Sequence, residues 1–193
     1  MKLTKEAVER NREHVIDTAA KLFREKGIDG IGVADLMKAA GMTHGGFYRQ
    51  FKSKDDLVVQ AVGRAFAQMS ADIAGRLVNS DRPFATLVRY YVSDHHRDDP
   101  GHGCSLASLA TDAARHDDLA LHEAFEGIVE SYLDLLTRLA PGPTPDAKRG
   151  VAISVLAEMI GAVVLSRVVP NQELASEIIE TVADDLVTRH APA

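Results

Sequence analysis

A short segment near the N-terminus combines polar side chains with glycine in a way that suits contact with DNA. It reads Thr43-His44-Gly45-Gly46-Phe47-Tyr48-Arg49, and Lys52 follows closely. Glycine in a helix costs roughly 1 kcal/mol relative to alanine, so two glycines in a short helix suggest that something approaches the backbone. Two explanations stay open: a DNA backbone pressed against Gly45 or Gly46, or tight packing against the first helix.

Cys104, the single cysteine, is the second place where chemistry is possible. It follows His102 and Gly103 at the expected N-terminus of a helix, where the helix dipole favours a thiolate. His95, His96, Arg97 and His102 are expected to add positive charge nearby. The alternative is a small buried apolar residue, as free cysteine often is. One cysteine excludes an intrachain disulfide and suits a reducing, cytoplasmic compartment.

Histidines around the same cysteine raise the alternative of a metal-responsive protein. The ligand types are suitable, but no pair has the spacing of a dedicated metal motif. Cys104 with a histidine also raises the alternative of a thiol-dependent hydrolase. No recognisable catalytic arrangement or phosphate-binding loop in the sequence supports this alternative. The sequence therefore predicts a protein that is not an enzyme, with no metal and no cofactor. The residues that support the metal alternative are His95, His96, His102, His116, His122 and Cys104.

The charge distribution favours a nucleic-acid partner for one part of the chain only. The 193 residues carry a net charge of −6. Residues 1–54 hold eleven Lys and Arg against seven Asp and Glu, a net of +4, whereas the remainder has a net of −10. Affinity for DNA depends on cations that displace counterions from phosphates. A basic head and an acidic body therefore predict a molecule that binds DNA in one orientation.

The elements that must position these residues are helices. Apolar residues recur at intervals of three and four, and no run of alternating strands is evident, so the chain is predicted to be all-α. Gly27 and Gly41 supply helix stops, Thr43 an N-cap, and Ser53 with Asp56 a capping-box-like start. The predicted helices cover about 5–26, 33–40, 43–48, 54–79, 83–97, 104–115, 119–139, 146–169 and 172–190.

The second and third of these helices, joined by residues 40–43, match a helix-turn-helix, whose second helix enters the major groove of DNA. The segment from Gly41 to Leu57 closely resembles the N-terminal signature of the TetR family of bacterial transcription regulators. The resemblance implies a nine-helix protomer with a helix-turn-helix domain at 1–52 and an effector-binding and dimerisation domain at 53–193. It also implies a homodimer on a pseudo-palindromic operator in double-stranded DNA, released when a small molecule binds.

Carried over by position, the resemblance assigns DNA contacts within the signature. Thr43, His44 and Gly45 would face bases or adjacent phosphates, while Tyr48, Arg49 and Lys52 would hold the phosphate backbone. Phe47 and Phe51 are expected in the small core. Two departures stand out: Ile31 and Gly32 replace the hydroxyl residue common ahead of the second helix, and Gln50 stands where His is common.

The C-terminal part offers candidates for an effector site and for a dimer interface. The segment from Gly103 to Leu106 resembles the Gly-Cys motif of TetR-type repressors that sense electrophiles or oxidants through that thiol. Aromatic residues and a methionine are candidates for an apolar pocket, although each serves equally well in the core. The pocket candidates are Phe66, Met69, Tyr90, Tyr91, Phe125 and Tyr132.

The last two helices have wide apolar faces, which predict a four-helix interface with a second subunit. The interface candidates are Val155, Met159 and Val163 in one helix and Ile178, Val182 and Leu186 in the other. Ser154, Glu158, Ser166 and Arg167 interrupt the longest apolar run, which argues against a membrane span. The first twelve residues carry charges of both signs and predict neither a signal peptide nor a transit sequence.

Overall fold

A computed structural model describes residues 4–190, and within that range the chain is helical with no strand. This confirms the predicted all-α class. Two 3-10 helices, His44–Arg49 and Pro100–His102, accompany nine α-helices. The α-helices are α1 (Lys5–Lys26), α2 (Val33–Ala39), α3 (Lys54–Leu77), α4 (Pro83–Tyr91), α5 (Asp94–Asp98), α6 (Ser105–Ala113), α7 (Leu119–Leu139), α8 (Pro145–Val168) and α9 (Gln172–His190).

Short polar residues set the starts of several helices and glycines set the sharp turns. The Ser53 hydroxyl accepts a hydrogen bond from the Asp56 amide at 3.0 Å, and the Asp56 carboxylate accepts one from the Lys52 amide at 3.0 Å. This confirms the predicted capping-box-like start, although the Asp56 carboxylate accepts from the amide of Lys52 and not from that of the N-cap residue Ser53. Gly27 and Gly41 have φ of +80° and +69°, a backbone conformation that glycine adopts without steric cost. Both predicted helix stops are therefore correct.

Two of the predicted helices differ in detail. The third is a 3-10 helix rather than an α-helix, because the amides of Gly46 and Gln50 donate to carbonyls three residues back. Thr43 lies at its N-cap position but makes no side-chain capping hydrogen bond. The predicted helix over 83–97 is broken after Tyr91. Ser93 breaks it, because its hydroxyl donates to the Tyr90 carbonyl and accepts from the His96 amide, starting α5.

The helices share one apolar core, in which α3 occupies the centre. It packs along α1 on one side and α7 on the other, while α8 lies between α7 and α9. Arg64 of α3 forms ion pairs with Glu13 and Asp17 of α1, which fasten these two helices together. These ion pairs join the central helix of the body to the helix that leads into the N-terminal head.

Among residues 4–190, α8 is the one helix long and apolar enough to cross a membrane by length and composition. Its position between α7 and α9, with Val155, Met159 and Val163 fully buried, is that of a core helix. The predicted domain boundary falls just before α3, and the division into 1–52 and 53–193 stays a prediction. Residues 1–3 and 191–193 of those two domains lie outside the described residues.

Candidate nucleic-acid interface and ligand cavity

The 3-10 helix presents its polar residues to solvent and its aromatic residues to the core. Phe47 and Phe51 are buried with ring centroids 5.4 Å apart. Tyr48 is 66% exposed, and its ring stands edge-to-face against those of His44 and Phe47. Every residue predicted to touch DNA is exposed: Thr43, His44, Gly45, Tyr48, Arg49 and Lys52.

The two glycines of this helix are not required by packing within the protomer. A Cβ atom at Gly45 would meet no heavy atom within 4 Å. At Gly46 the nearest atoms would be Thr43 Oγ1 at 3.6 Å and Met37 Cε at 3.7 Å, which are ordinary contacts. Of the two explanations offered by the sequence, tight packing against the first helix is wrong. Open space remains in front of Gly45, where a DNA backbone has room to approach.

Lys52 lies at the start of α3, where a helix N-terminus and a cation together attract phosphate. The amides of Lys52 and Asp56 are already engaged in the capping box, however. The exposed ammonium group of Lys52 is therefore the part that remains available to a phosphate. The neighbouring residue Phe51 contacts α1, because the Arg12 guanidinium lies 5.3 Å from the centre of the Phe51 ring.

A cavity of about 580 Å³ lies between α3 and α7. Its walls are apolar along most of their length, and Phe66 and Tyr132 meet at a ring-centroid distance of 5.7 Å. Ser70, Ser131 and Arg138 provide the polar groups of the lining. The apolar lining consists of Phe66, Ile73, Ala74, Leu77 and Val78 from α3 with Tyr132 and Leu135 from α7.

Only part of the predicted pocket belongs to this cavity. Phe66 and Tyr132 line it, but Met69, Tyr90, Tyr91 and Phe125 do not, so their assignment to one common pocket is wrong. Met69 and Tyr90 border a space of about 10 Å³, enough for a single water-sized molecule. Tyr91 is fully buried in the core, and Phe125 lines a shallow depression beside α6. The periodicity of an isolated helix does not reveal which of its apolar residues face a void.

Cys104 is buried, with 1% of its surface exposed, at the N-cap position of α6. Its backbone amide donates to His96 Nε2 at 2.9 Å, and His96 Nδ1 lies 2.7 Å from the Tyr91 carbonyl oxygen. Nε2 is therefore the acceptor and Nδ1 the donor. This arrangement leaves no lone pair on His96 to deprotonate the thiol, which removes the basis of the hydrolase alternative.

Three of the four residues predicted to place positive charge around Cys104 do not do so: His96, Arg97 and His102. Burial lowers the pKa of His96 to about 4, so its ring is neutral at physiological pH. Arg97 is paired with Asp94 and Asp98, and the exposed His102 is paired with Asp99. The cations that do lie near the thiol are Arg24 of α1 and Arg167 of α8, which are distant in sequence.

Two tyrosine hydroxyl groups next to Cys104 have no hydrogen-bond partner among the described residues: those of Tyr91 and Tyr132. Burial first, and then the neighbouring thiol, raise the pKa of both tyrosines well above the ordinary value. Both hydroxyls therefore keep their protons at neutral pH. Buried hydroxyls without an acceptor are uncommon, and these two have a sulfur atom as their polar neighbour.

Both ends of α6 are fastened to α1, a connection that the sequence did not predict. Next to its N-terminus, Arg24 Nη1 of α1 donates to the Gly103 carbonyl at 2.8 Å. Near its C-terminus, Asp112 Oδ2 accepts from the Ile28 amide at 2.9 Å. A Cβ at Gly103 would lie 2.5 Å from the His96 ring, which explains the glycine before Cys104. These two hydrogen bonds therefore join α6 to α1 and to the start of the segment that leads from α1 to the helix-turn-helix.

The predicted dimer residues are mostly core residues of the single chain. Val155, Met159, Val163 and Leu186 have no exposed surface, so a partner cannot contact them and their assignment is wrong. Ile178 and Val182 are partly exposed. A second apolar stripe on α8 and the neighbouring part of α9 is the accessible one, and we call it the α8–α9 stripe. Its members are Ile153, Ile160, Val164, Leu165 and Val168 with Leu174, Ile178 and Val182.

Within residues 4–190, no group of three or more His, Cys, Asp or Glu side chains is arranged to hold a metal ion. The histidines that the sequence placed together serve other purposes. His96 bridges two backbone groups, and His122 Nε2 lies 2.9 Å from the Ala113 carbonyl.

The all-α fold and the outward-facing helix-turn-helix define a DNA-binding regulator. Residues 15–61 match the family described as bacterial regulatory proteins, tetR family. The transcriptional repressor DhaR of a Mycobacterium species is 22% identical over 184 residues, which cover 91% of this chain and 92% of DhaR.

Solved structures extend the similarity to the whole fold. A TetR transcriptional regulator from Chloroflexus aurantiacus has a TM-score of 0.78 at 23% identity, covering 96% of this chain and 98% of its own. The reduced form of Escherichia coli NemR has a TM-score of 0.73 at 19% identity, covering 91% and 96% of the two chains. Residues 15–61 therefore match the N-terminal domain of the TetR family, and the described chain has the fold of TetR-family transcription regulators.

Proposed function

We propose that this protein is a cytoplasmic, homodimeric repressor without catalytic activity that binds a pseudo-palindromic operator and dissociates when an effector occupies its body. The observation that carries the proposal is the outward presentation of the polar side of the 3-10 helix, with open space in front of Gly45. The basic N-terminal part supplies the phosphate contacts. Thr43, His44 and Gly45 meet bases or nearby phosphates, and Tyr48, Arg49 and Lys52 hold the backbone.

The dimer forms through the α8–α9 stripe. Val168 is 71% exposed, Leu165 56% and Leu174 43%, and all three lie near the turn between α8 and α9. Such a contiguous apolar surface is typical of a protein–protein interface. A two-fold axis through it places two helix-turn-helix units on one side of a duplex. Half-sites are then expected about one helical turn, roughly 34 Å, apart.

The effector is a small molecule in the cavity between α3 and α7. The same α3 that lines this cavity begins beside Lys52 and is fastened to α1 through Arg64. A ligand that separates α3 from α7 therefore changes the spacing or orientation of the two DNA-binding heads. Through this coupling the ligand binds the free protein more tightly than the DNA-bound protein, and its binding therefore favours release from the operator.

Modification of Cys104 is a second route to release, favoured by the two unpartnered tyrosine hydroxyls at the thiol. They are donors suited to a thiolate, and Arg24 and Arg167 add positive charge nearby. An adduct on the buried sulfur would force α6 away from α1. Mass spectrometry after mild electrophile or oxidant treatment tests this route, with Cys104→Ser as the control. An unmodified thiol, or a treated wild type that still binds operator, would exclude it.

The proposal as a whole is tested with DNA selected from random duplexes by the purified protein. We expect a palindromic consensus and an affinity that falls steeply with salt concentration. Tyr48→Ala should weaken binding about tenfold, or about 1.4 kcal/mol, with unchanged thermal stability. Tyr48→Phe, which keeps the ring, separates the hydroxyl contact from the ring. No selectable consensus, together with full affinity in Tyr48→Ala, would refute the assignment.

A further inference from the structure

We propose that the cavity between α3 and α7 takes an amphipathic monocarboxylate, with its apolar chain towards Phe66 and Tyr132 and its carboxylate at Arg138. This inference names the chemical class of the effector, and it rests on the effector site proposed above. It follows from the shape, the lining and the charge of the cavity.

The cavity is elongated along the two helices. Its α3 lining runs from Phe66 to Val78, twelve residues along one helix. At a rise of 1.5 Å per residue this corresponds to about 18 Å. The inner end is closed by the buried Tyr132, whereas Val78 at the other end is 77% exposed. An extended chain fits this shape better than a compact ring system does.

The charged lining of the cavity consists of one cation. Arg138 lies in the last turn of α7, on the exposed side, and makes no hydrogen bond or ion pair with any residue in the range 4–190. None of the lining residues in the part of the chain that the structure describes carries a carboxylate. Residues 55–193 have a net charge of −10, so an anionic ligand is repelled by this body except where a local cation receives it. An apolar wall with one free cation among its described lining residues is complementary to a fatty acid or a similar carboxylate.

The inner end gives such a ligand a means of action. Tyr132 has one face against Phe66 in the cavity, and its hydroxyl lies beside Cys104 at the start of α6. Its ring also contacts that of Tyr91, at a centroid distance of 6.1 Å, and Tyr91 contacts His96 at 4.7 Å. A chain long enough to displace Tyr132 therefore acts on the residues around Cys104 at the start of α6.

The test compares dodecanoate with dodecanol, its uncharged analogue, by calorimetric titration of the full chain without DNA and below micellar concentrations. We expect one dodecanoate per protomer, bound about tenfold more tightly than the alcohol, as one charge-assisted contact predicts. Arg138→Gln should reduce acid binding to the level of the alcohol. Arg10→Gln, which removes an exposed arginine of α1 outside the cavity, is the matched control and should change nothing.

Ser70→Trp, which fills the cavity from α3, should abolish binding of both ligands. If that variant does not fold, the titration of Arg138→Gln with dodecanoate is sufficient to test the inference. Equal binding of acid and alcohol, undiminished acid binding by Arg138→Gln, or no binding at all would each overturn the inference. None of these results touches operator binding, which is measured without ligand. Failure of the ligand class is therefore distinguishable from failure of the DNA-binding proposal.

Discussion

At Gly45, two reasons for a glycine can be compared: packing within the protein and contact with DNA. Intrinsic propensity alone would favour alanine there, since glycine weakens a helix by roughly 1 kcal/mol. Among residues 4–190, no heavy atom lies within 4 Å of a Cβ built at Gly45. Packing within this range therefore does not account for the glycine, and we expect the reason to lie in the surface that the 3-10 helix meets.

The variant Gly45→Ala is predicted to keep or slightly raise the thermal stability while weakening operator binding. A methyl group in front of Gly45 would hold the DNA backbone away and lengthen the neighbouring phosphate contacts. We expect a loss of about tenfold, or about 1.4 kcal/mol, in a fluorescence-anisotropy titration. Gly150→Ala in α8, also with open space around its Cβ position, is the matched control. Equal operator affinity of both variants would show that Gly45 has no contact with DNA.

His96 gives the protein a specific dependence of stability on pH. Burial lowers its pKa from 6.5 to about 4, so the unfolded chain binds more protons than the folded chain between these values. Stability is unaffected above pH 6.5 and falls as the pH decreases towards 4. At pH 5 the loss amounts to about 2 kcal/mol from this group.

Urea unfolding at pH 7 and pH 5 measures this effect. Wild type should lose stability between the two values by about 2 kcal/mol more than His96→Gln does, since the variant has no group to protonate. The variant will be less stable at pH 7, because the Cys104 amide and the Tyr91 carbonyl lose well-placed partners. Parallel losses in the two proteins would mean that His96 is not held neutral.

At the residue scale, the sequence predicted the exposed residues of the 3-10 helix and missed the surroundings of Cys104. Thr43, Tyr48 and Lys52 could be assigned because the resemblance to a family signature carries their positions over. The surroundings of Cys104 could not be, because Arg24 and Arg167 come from helices far away in the chain. The histidines close to Cys104 in sequence did not identify its neighbours in the structure, since His96 is buried whereas His95 and His102 are exposed.

Among the elements, α6 connects the body with the head. Its Asp112 carboxylate caps the amide of Ile28, and a Cβ at Gly27 would lie 2.8 Å from the same oxygen. Asp112→Ala should therefore destabilise the protein by about 1–2 kcal/mol and loosen the turn between α1 and α2. Hydrogen exchange should increase locally from Ile28 to Gly32. Asp117→Ala, in the loop after α6, is the control; equal exchange in both variants would rule out the connection.

The elements also show where helical periodicity stops being informative. The start of α3 was predicted correctly, because a capping box is a local signal. The break after Tyr91 was missed, since Ser93 is compatible with a helix interior until its hydroxyl finds the Tyr90 carbonyl. In α8 apolar residues lie on more than one face. The sequence could not say which face packs within the chain, and the choice of Val155 and Met159 as interface residues followed from that ambiguity.

For the whole molecule, the charge asymmetry and the fold were predictable, whereas the cavity was not. A void between α3 and α7 depends on how two helices distant in sequence diverge. Phe66 and Tyr132 were recognised as pocket residues only by their aromatic character. Arg138 was not recognised at all, since a charged residue in the last turn of a helix is ordinary. Its role as the charged group of a ligand cavity can be recognised only when the other residues that line the cavity are known.

Assembly is the property of the whole molecule on which operator recognition depends. Val168 is 71% exposed in the α8–α9 stripe, whereas Val155 is fully buried. Val168→Asp should therefore give a monomer of unchanged helicity in analytical ultracentrifugation, because a charge in an apolar interface is strongly unfavourable. Its affinity for the full operator should fall towards that for a single half-site. Val155→Ala should instead lower the unfolding free energy by about 1–3 kcal/mol and remain dimeric. A dimeric Val168→Asp would place the contact between subunits elsewhere and require another alignment of the two DNA-binding heads.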